Sequence, residues 1–108
     1  LYPPFVDICM VGFSGQQQEK VHQASVFFLQ LLQELAAREY ASLPMRVLKP
    51  TPAAVVKVNG KYRYKILIKC RNSKTFRDFL SRLLISFPQE RRFAGVSVFA
   101  DINPDSVL

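Results

Sequence analysis

The sequence predicts a single α+β domain whose elements follow the order β-α-β-β-α-β. First, Asn59-Gly60 separates two apolar, β-branched runs, which is the strongest short-range signal for a β-hairpin. Second, residues 16–41 and the segment after Ser73 carry apolar side chains at the three- and four-residue spacing of amphipathic helices. Third, strand-like apolar runs precede the first of these helices and follow the second.

The first strand is expected over residues 5–13. Its side chains are apolar on both faces apart from Asp7, which suits a central strand covered on at least one side. Residues 2–4 contain two prolines and are expected to form a rigid, extended lead-in, because proline fixes φ. Gly12 and Gly15 are expected to loosen the end of the strand.

The first helix is expected over about residues 16–41 and ends before Pro44. Its apolar stripe consists of Val21, Ala24, Phe28, Leu31, Leu32, Leu35 and Ala36. His22 lies beside this stripe without a Cys, His or acidic partner at ligand spacing. It is therefore interpreted as a surface or boundary residue.

The hairpin follows a short extended piece at residues 45–49 and a break at residues 50–52. Its strands are predicted over residues 53–58 and 61–70, and both turn residues tolerate the positive φ of a type I′ turn. Side chains then alternate between two faces. One face carries Tyr62, Tyr64, Ile66, Ile68 and Cys70. The other carries Leu67 and a cationic row, defined as Lys61, Arg63, Lys65 and Lys69.

The second helix is expected to begin after Ser73, whose hydroxyl suits an N-cap. Its apolar stripe consists of Phe76, Phe79, Leu80, Leu83 and Phe87. Residues 88–92 are expected to form a polar loop, residues 95–102 the last strand, and residues 103–105 a closing turn.

This order of elements corresponds to the ferredoxin-like split βαβ arrangement. Right-handed connections place both helices on one face of a four-stranded sheet and leave the other face open. Polarity predicts that the apolar face of residues 62–70 meets the helices. The cationic row is then directed toward the open face.

A chain of 108 residues has room for one core. Hydrophobic residues make up 49% of it, which excludes a disordered chain, and no apolar run is long enough for a membrane helix. The start has neither an initiator methionine nor the pattern of a signal peptide. Residues 1–108 are therefore interpreted as one domain excised from a longer protein.

The formal charge of +7 is concentrated in the middle of the chain. Residues 45–92 carry a net +11, whereas residues 1–44 and 93–108 carry −2 each. This distribution is the electrostatic footprint of a polyanion partner. Nucleic acid, a membrane surface and an acidic protein tail fit it equally well. A solvated sheet face, or an edge strand protected by lysines, also accounts for the cationic row.

The sequence contains no phosphate-binding glycine loop, zinc-ligand spacing, nucleophile with its base or convergent carboxylate pair. No catalytic or metal-binding residue is therefore predicted, and the domain is not expected to be an enzyme. Asp101 and Asp105 flank the final turn, where aspartate is a common turn and capping residue, and are interpreted in that way. Cys9 and Cys70 are predicted to be reduced core thiols, and a disulfide between them would require neighbouring strands.

Three motifs carry a resemblance to a known family: Tyr2-Pro3-Pro4-Phe5, then Pro50-Thr51-Pro52-Ala53 leading into Gly60-Lys61-Tyr62-Arg63-Tyr64, and finally Ala100-Asp101-Ile102-Asn103-Pro104. In this order and spacing the chain resembles the C-terminal domain of the bacterial primosomal replication helicases (PriA, primosomal protein N′). The resemblance covers essentially the whole chain. Asn103 departs from the family pattern, which more often has aspartate there.

The resemblance implies a fold similar to that of a small-subunit ribosomal protein and a cytoplasmic location in bacteria. The parent would be an ATP-dependent superfamily 2 DNA helicase that moves 3′ to 5′ and reloads the replisome at abandoned forks. Its ATP and zinc sites would lie upstream, so no cofactor is expected in this domain.

The implied partners are single-stranded and forked DNA, the helicase lobes of the same chain and the acidic tail of single-stranded DNA-binding protein, with no membrane among them. The cationic row would contact DNA, whereas Lys74, with Arg71 and Arg77, would bind the tail. Tyr62 and Tyr64 either stack on bases or pack in the core. Two rival functions remain open: a scaffold that packs on the helicase lobes, and an RNA-binding domain.

Overall fold

The computed structural model describes residues 5–105, apart from the side chains at positions 54–56 and 58, so the predicted lead-in at residues 2–4 lies outside it. The elements are β1 (Asp7–Gly15), α1 (Gln18–Glu39), β2 (Met45–Val47), β3 (Thr51–Val58), β4 (Lys61–Cys70), α2 (Lys74–Ser86) and β5 (Ser97–Ile102). Single 3-10 turns at Phe87–Gln89 and Arg91–Phe93 replace the predicted polar loop.

The sheet confirms the ferredoxin-like arrangement. β1 lies at its centre between β4 and β5, and every pairing is antiparallel. β3 pairs with the first half of β4, and β2 pairs with the end of β4 on the same side. The sheet therefore has five strands instead of the predicted four, because the short piece after α1 is long enough to pair with the end of β4.

The predicted break at residues 50–52 lies instead at residues 48–50, because β3 already begins at Thr51. Pro52 pairs with Tyr64, and the register shifts between Pro52 and Lys57. Proline has no N–H to donate and is tolerated on a strand that is paired on one side only. The hairpin turn is as predicted, since Asn59 and Gly60 have φ values of 52° and 77°.

A single hydrophobic cluster joins the two helices to one face of the sheet. Phe13 and Phe28 meet edge to face with ring centroids 5.4 Å apart, and Phe87 lies 5.8 Å from Phe28. Tyr62 and Tyr64 pack against this cluster. The apolar face of β4 therefore meets the helices, as its alternating pattern predicts.

Glu39, the last residue of α1, is joined to Arg82 of α2. Two hydrogen bonds of 2.8 Å run from the guanidinium to the carboxylate. Chiefly because of these bonds, the pKa of Glu39 falls to about 2. The pair stays charged at neutral pH and bridges the two helices at the surface of the domain.

The start of β1 and the turn after β5 are joined through Asn103, which has a left-handed φ of 55°. Its side chain accepts from the N–H of Ile8 and donates to Asp7, each at 3.0 Å. Asp7 also accepts from the N–H of Asn72 at 2.7 Å, and these bonds lower its pKa. The closing turn thus anchors the start of β1 and the loop before α2.

Cys9 and Cys70 are buried, free thiols on the neighbouring strands β1 and β4. Burial raises the pKa of Cys9 to about 12 and that of Cys70 to about 11. Both are therefore protonated and unreactive at neutral pH.

A candidate nucleic-acid interface on the open sheet face

The open face is defined as the side of the sheet directed away from the helices. β1 contributes Ile8, Met10, Gly12 and Ser14, and β5 contributes Ser97, Phe99 and Asp101. β4 contributes Leu67 and the cationic row, so the structure places the row where polarity predicts it. Its role in binding stays a prediction.

The cationic row runs along the full length of β4. Lys61 and Lys69 are exposed, whereas Arg63 and Lys65 are half-buried. Neighbouring positions on the same face of a strand are about 7 Å apart. Leu67 lies between Lys65 and Lys69 on this face. The row therefore consists of three successive cations followed, after Leu67, by Lys69. Long basic stems cover apolar surface while their charged ends reach water.

Arg46 was not among the predicted binding residues, although the structure adds it to the same face. It is exposed on β2 and pairs with Lys69 of β4. The sequence signal for Arg46 is the alternation Met45-Arg46-Val47. Met45 and Val47 pack against the core, whereas Arg46 between them does not. Recognising its position requires knowing that this short segment joins the sheet.

The open face is electrically polarised across the sheet. Cations occupy β4 and β2, whereas the β5 positions on this face are Ser97, Phe99 and Asp101. Asp101 lies across Met10 from Leu67, two strands from the cationic row. An anionic polymer is therefore attracted to the β4 side and repelled near the end of β5.

An aromatic ring lies within this polar surface. Phe99 is 42% exposed and pairs with Gly12, which pairs on its other side with Lys65. The tyrosines do not share this face, because Tyr62 and Tyr64 pack under the helices and Tyr64 stacks on His22 with centroids 5.1 Å apart. His22 thus has a packing role.

A second surface lies where the end of α1 meets the start of α2. A pocket of about 410 Å³ there is lined by Glu39, Tyr40, Ser42, Leu43, Pro44, Arg71, Ser73 and Thr75. Of the three predicted tail-binding residues, Arg71 lines this pocket. Its walls combine apolar side chains and hydroxyl groups with the guanidinium of Arg71 and the carboxylate of Glu39, which is paired with Arg82.

The other two predicted tail-binding residues, Lys74 and Arg77, do not line this pocket. Lys74 forms an ion pair of 3.0 Å with Asp78 one helical turn away, and both side chains are largely exposed. Arg77 donates to the carbonyl and side-chain oxygens of Asn72 at 3.3 and 3.0 Å. Ser73 caps α2 as predicted by accepting from the N–H of Phe76. An incoming carboxylate at Lys74 must therefore compete with Asp78.

Within residues 5–105, no group of His, Cys, Asp and Glu side chains is arranged to hold a metal ion. Among the helices described, none is long and apolar enough to cross a membrane.

The description "primosomal protein N C-terminal domain" belongs to the family model that matches residues 1–105. The probable replication restart protein PriA of Deinococcus radiodurans is 27% identical over 105 residues, covering 97% of this chain and 10% of that protein. Replication restart protein PriA of Bacillus subtilis strain 168 is 24% identical over 103 residues, covering 95% of this chain and 12% of that protein. The chain thus spans about a tenth of the length of these relatives.

Two designed proteins share the fold. Foldit4 has a TM-score of 0.55 at 17% identity, covering 93% of this chain and 98% of the other. LFR1 1, described as having a ferredoxin fold, has a TM-score of 0.57 at 10% identity, covering 92% and 85%. At these identities the likeness concerns the fold alone.

Proposed function

Because the chain belongs to the primosomal protein N C-terminal domain family, we propose that it serves replication restart as a non-catalytic module that binds DNA and docks a partner protein. The observation that carries the DNA-binding role is the cationic row on the open face, extended by Arg46. The relatives named for replication restart support the setting.

The arrangement suits phosphates better than base edges. The cations lie along one strand, and their ammonium and guanidinium groups offer donors without acceptors. Contacts of this kind hold a nucleic-acid backbone in place but carry no sequence information. The proposed module therefore binds single-stranded or forked DNA without sequence preference.

The affinity for DNA is expected to fall steeply with salt, because each neutralised phosphate releases counterions. With four or five contacts, the slope of log K against log salt is roughly −3 for a single strand, or about a 60-fold loss between 50 and 200 mM. Fluorescence anisotropy with a short labelled oligonucleotide measures this slope. A folded chain that shows no binding would contradict the proposal and favour the scaffold function.

The RNA-binding alternative is separated from DNA binding by competition. If a tRNA or rRNA fragment displaces labelled forked DNA at much lower concentration than unlabelled forked DNA does, RNA is the preferred partner. Equal or weaker competition supports the DNA-binding function. Fold cannot decide between them, since one architecture hosts many functions.

A docking role for an acidic peptide tail is the second proposed function, and the pocket beside Arg71 favours it. The tail of single-stranded DNA-binding protein is the partner implied by the family. The apolar side chains of Tyr40, Leu43 and Pro44 can pack against an apolar side chain of the peptide. The guanidinium of Arg71 can donate hydrogen bonds to a carboxylate of the same peptide. Lys74 lies in the chain between the lining residues Ser73 and Thr75 and carries a further positive charge.

Reversal of the charge at Arg71 is expected to weaken binding of the acidic tail peptide by about tenfold or more, because a charge-assisted hydrogen bond is replaced by repulsion. Lys74→Glu is expected to have a smaller effect, since Lys74 does not line the pocket. Calorimetric titration of each variant with the peptide measures both. Arg91→Glu, which makes the same charge change outside the pocket, is the control. If Arg71→Glu behaves like this control, the pocket is not the docking site.

A further inference from the structure

On the open face, the Phe99 ring of β5 packs directly against Gly12 of the neighbouring strand β1. A Cβ placed on Gly12 would lie 2.3 Å from Cε1 and 2.4 Å from Cζ of this ring. The ring edge therefore fills the space that a side chain at position 12 would need. Because any larger residue at this position would displace the ring, Gly12 and Phe99 form one structural unit.

The backbone gives no other reason for glycine at position 12. Gly12 lies in the middle of β1, is paired on both sides and has no positive φ. Glycine within a strand weakens it, and one recognised use is close approach by another group. Here that group is a large apolar ring, which remains 42% exposed and shares the open face with the cationic row.

We propose that Phe99 is a stacking platform for an unpaired nucleobase, so that the open face binds single-stranded DNA in preference to duplex. The inference rests on the proposed DNA-binding function and specifies its ligand. Lys65 shares the cross-strand row of Gly12 and Phe99, and Arg63 lies in the adjacent row. A single DNA strand whose phosphates contact the cationic row can therefore place one of its bases above β1 and against the Phe99 ring.

Charge complementarity and the exposed ring together select this ligand. The cations attract a phosphate backbone, and an aromatic ring offers a sequence-tolerant contact to any exposed base. In a duplex the bases are stacked within the helix and only the phosphates remain accessible to the row. The ring thus adds affinity for single strands alone.

Fluorescence of a Phe99→Trp variant tests the contact directly, because the 108-residue chain contains no tryptophan. Saturation with oligodeoxythymidylate is expected to quench the emission of the introduced indole. An abasic oligonucleotide of equal length, which keeps the phosphates, is expected to leave the emission nearly unchanged. Unchanged emission with both oligonucleotides at saturation would overturn the proposal.

Affinity measurements on the other variants complete the test. Phe99→Leu is expected to weaken binding of oligodeoxythymidylate by about 5- to 100-fold and to leave abasic and duplex affinity within about twofold. Phe99→Tyr keeps the aromatic face and is expected to retain the affinity. Gly12→Ala, which displaces the ring, is expected to reproduce part of the leucine effect. Equal single-strand affinity of Phe99→Leu and the unaltered chain would refute the stacking role.

Failure of the stacking role and failure of DNA binding give different results. If the unaltered chain binds abasic and base-containing strands equally and with steep salt dependence, DNA binding stands and the stacking inference falls. If the folded chain binds none of the three nucleic acids, the DNA-binding function itself is refuted.

Discussion

The double charge reversal Arg63→Glu with Lys65→Glu is expected to reduce DNA affinity by about 100-fold or more. Both residues lie on the open face, opposite Ser14 and Gly12 of the central strand. Each change removes a cation proposed to bind phosphate and adds repulsion, and the magnitude of the salt slope for a single strand is expected to fall by roughly 0.7 for each cation removed. Anisotropy titrations of the variant and the unaltered chain at several salt concentrations measure both quantities.

A control with the same net charge is Arg38→Glu with Arg91→Glu. Arg38 lies on α1, and Arg91 lies in the 3-10 turn that packs against α1, so both belong to the helical side of the domain. This variant is expected to lose several-fold less affinity than the reversal on β4. Equal losses in the two variants would mean that DNA responds to overall charge and not to the open face.

Replacement of Phe28 by alanine is expected to destabilise the fold by about 3–5 kcal/mol. Phe28 is fully buried on α1, and its ring contacts Phe13 of the central strand and Phe87 after α2. Its removal leaves a cavity where both helices and the sheet meet. For a domain of this size, the melting temperature falls by at least roughly 12 °C.

Thermal and denaturant unfolding followed by circular dichroism measure this effect. Val26→Ala is a control on the same helix, because Val26 is 37% exposed, and it is expected to change stability by less than about 1 kcal/mol. A Phe28→Ala variant as stable as this control would contradict the assignment of Phe28 to the centre of the core.

Much of the fold is predictable because the signals are local. The Asn59-Gly60 turn and the Ser73 cap follow from backbone conformation and hydrogen bonding within a few residues, and the structure confirms both. The strand at Thr51 is different. Pro50 and Pro52 flank Thr51 and indicate a break in the chain. The strand nevertheless includes Pro52, because a strand that is paired on one side only tolerates a residue that lacks an N–H.

The candidate site divides in the same way. Alternation along β4 predicts which side of the strand carries the cationic row. Alternation along β4 does not show which residues of other strands lie beside the cationic row. Arg46 joins it only through the pairing of β2 with β4, and Phe99 only through the pairing of β5 with β1. These pairings join residues far apart in the chain.

The sequence alone determined the order of the two helices and of four of the five strands, the separation of apolar from charged faces and the excess of positive charge in residues 45–92, because periodicity and composition act over short distances. The tertiary structure decided that the ring of Phe99 packs against Gly12. It also decided that Arg71 lines a pocket together with the end of α1. Such neighbours depend on strand register and helix docking, which are set by the packing of the whole core.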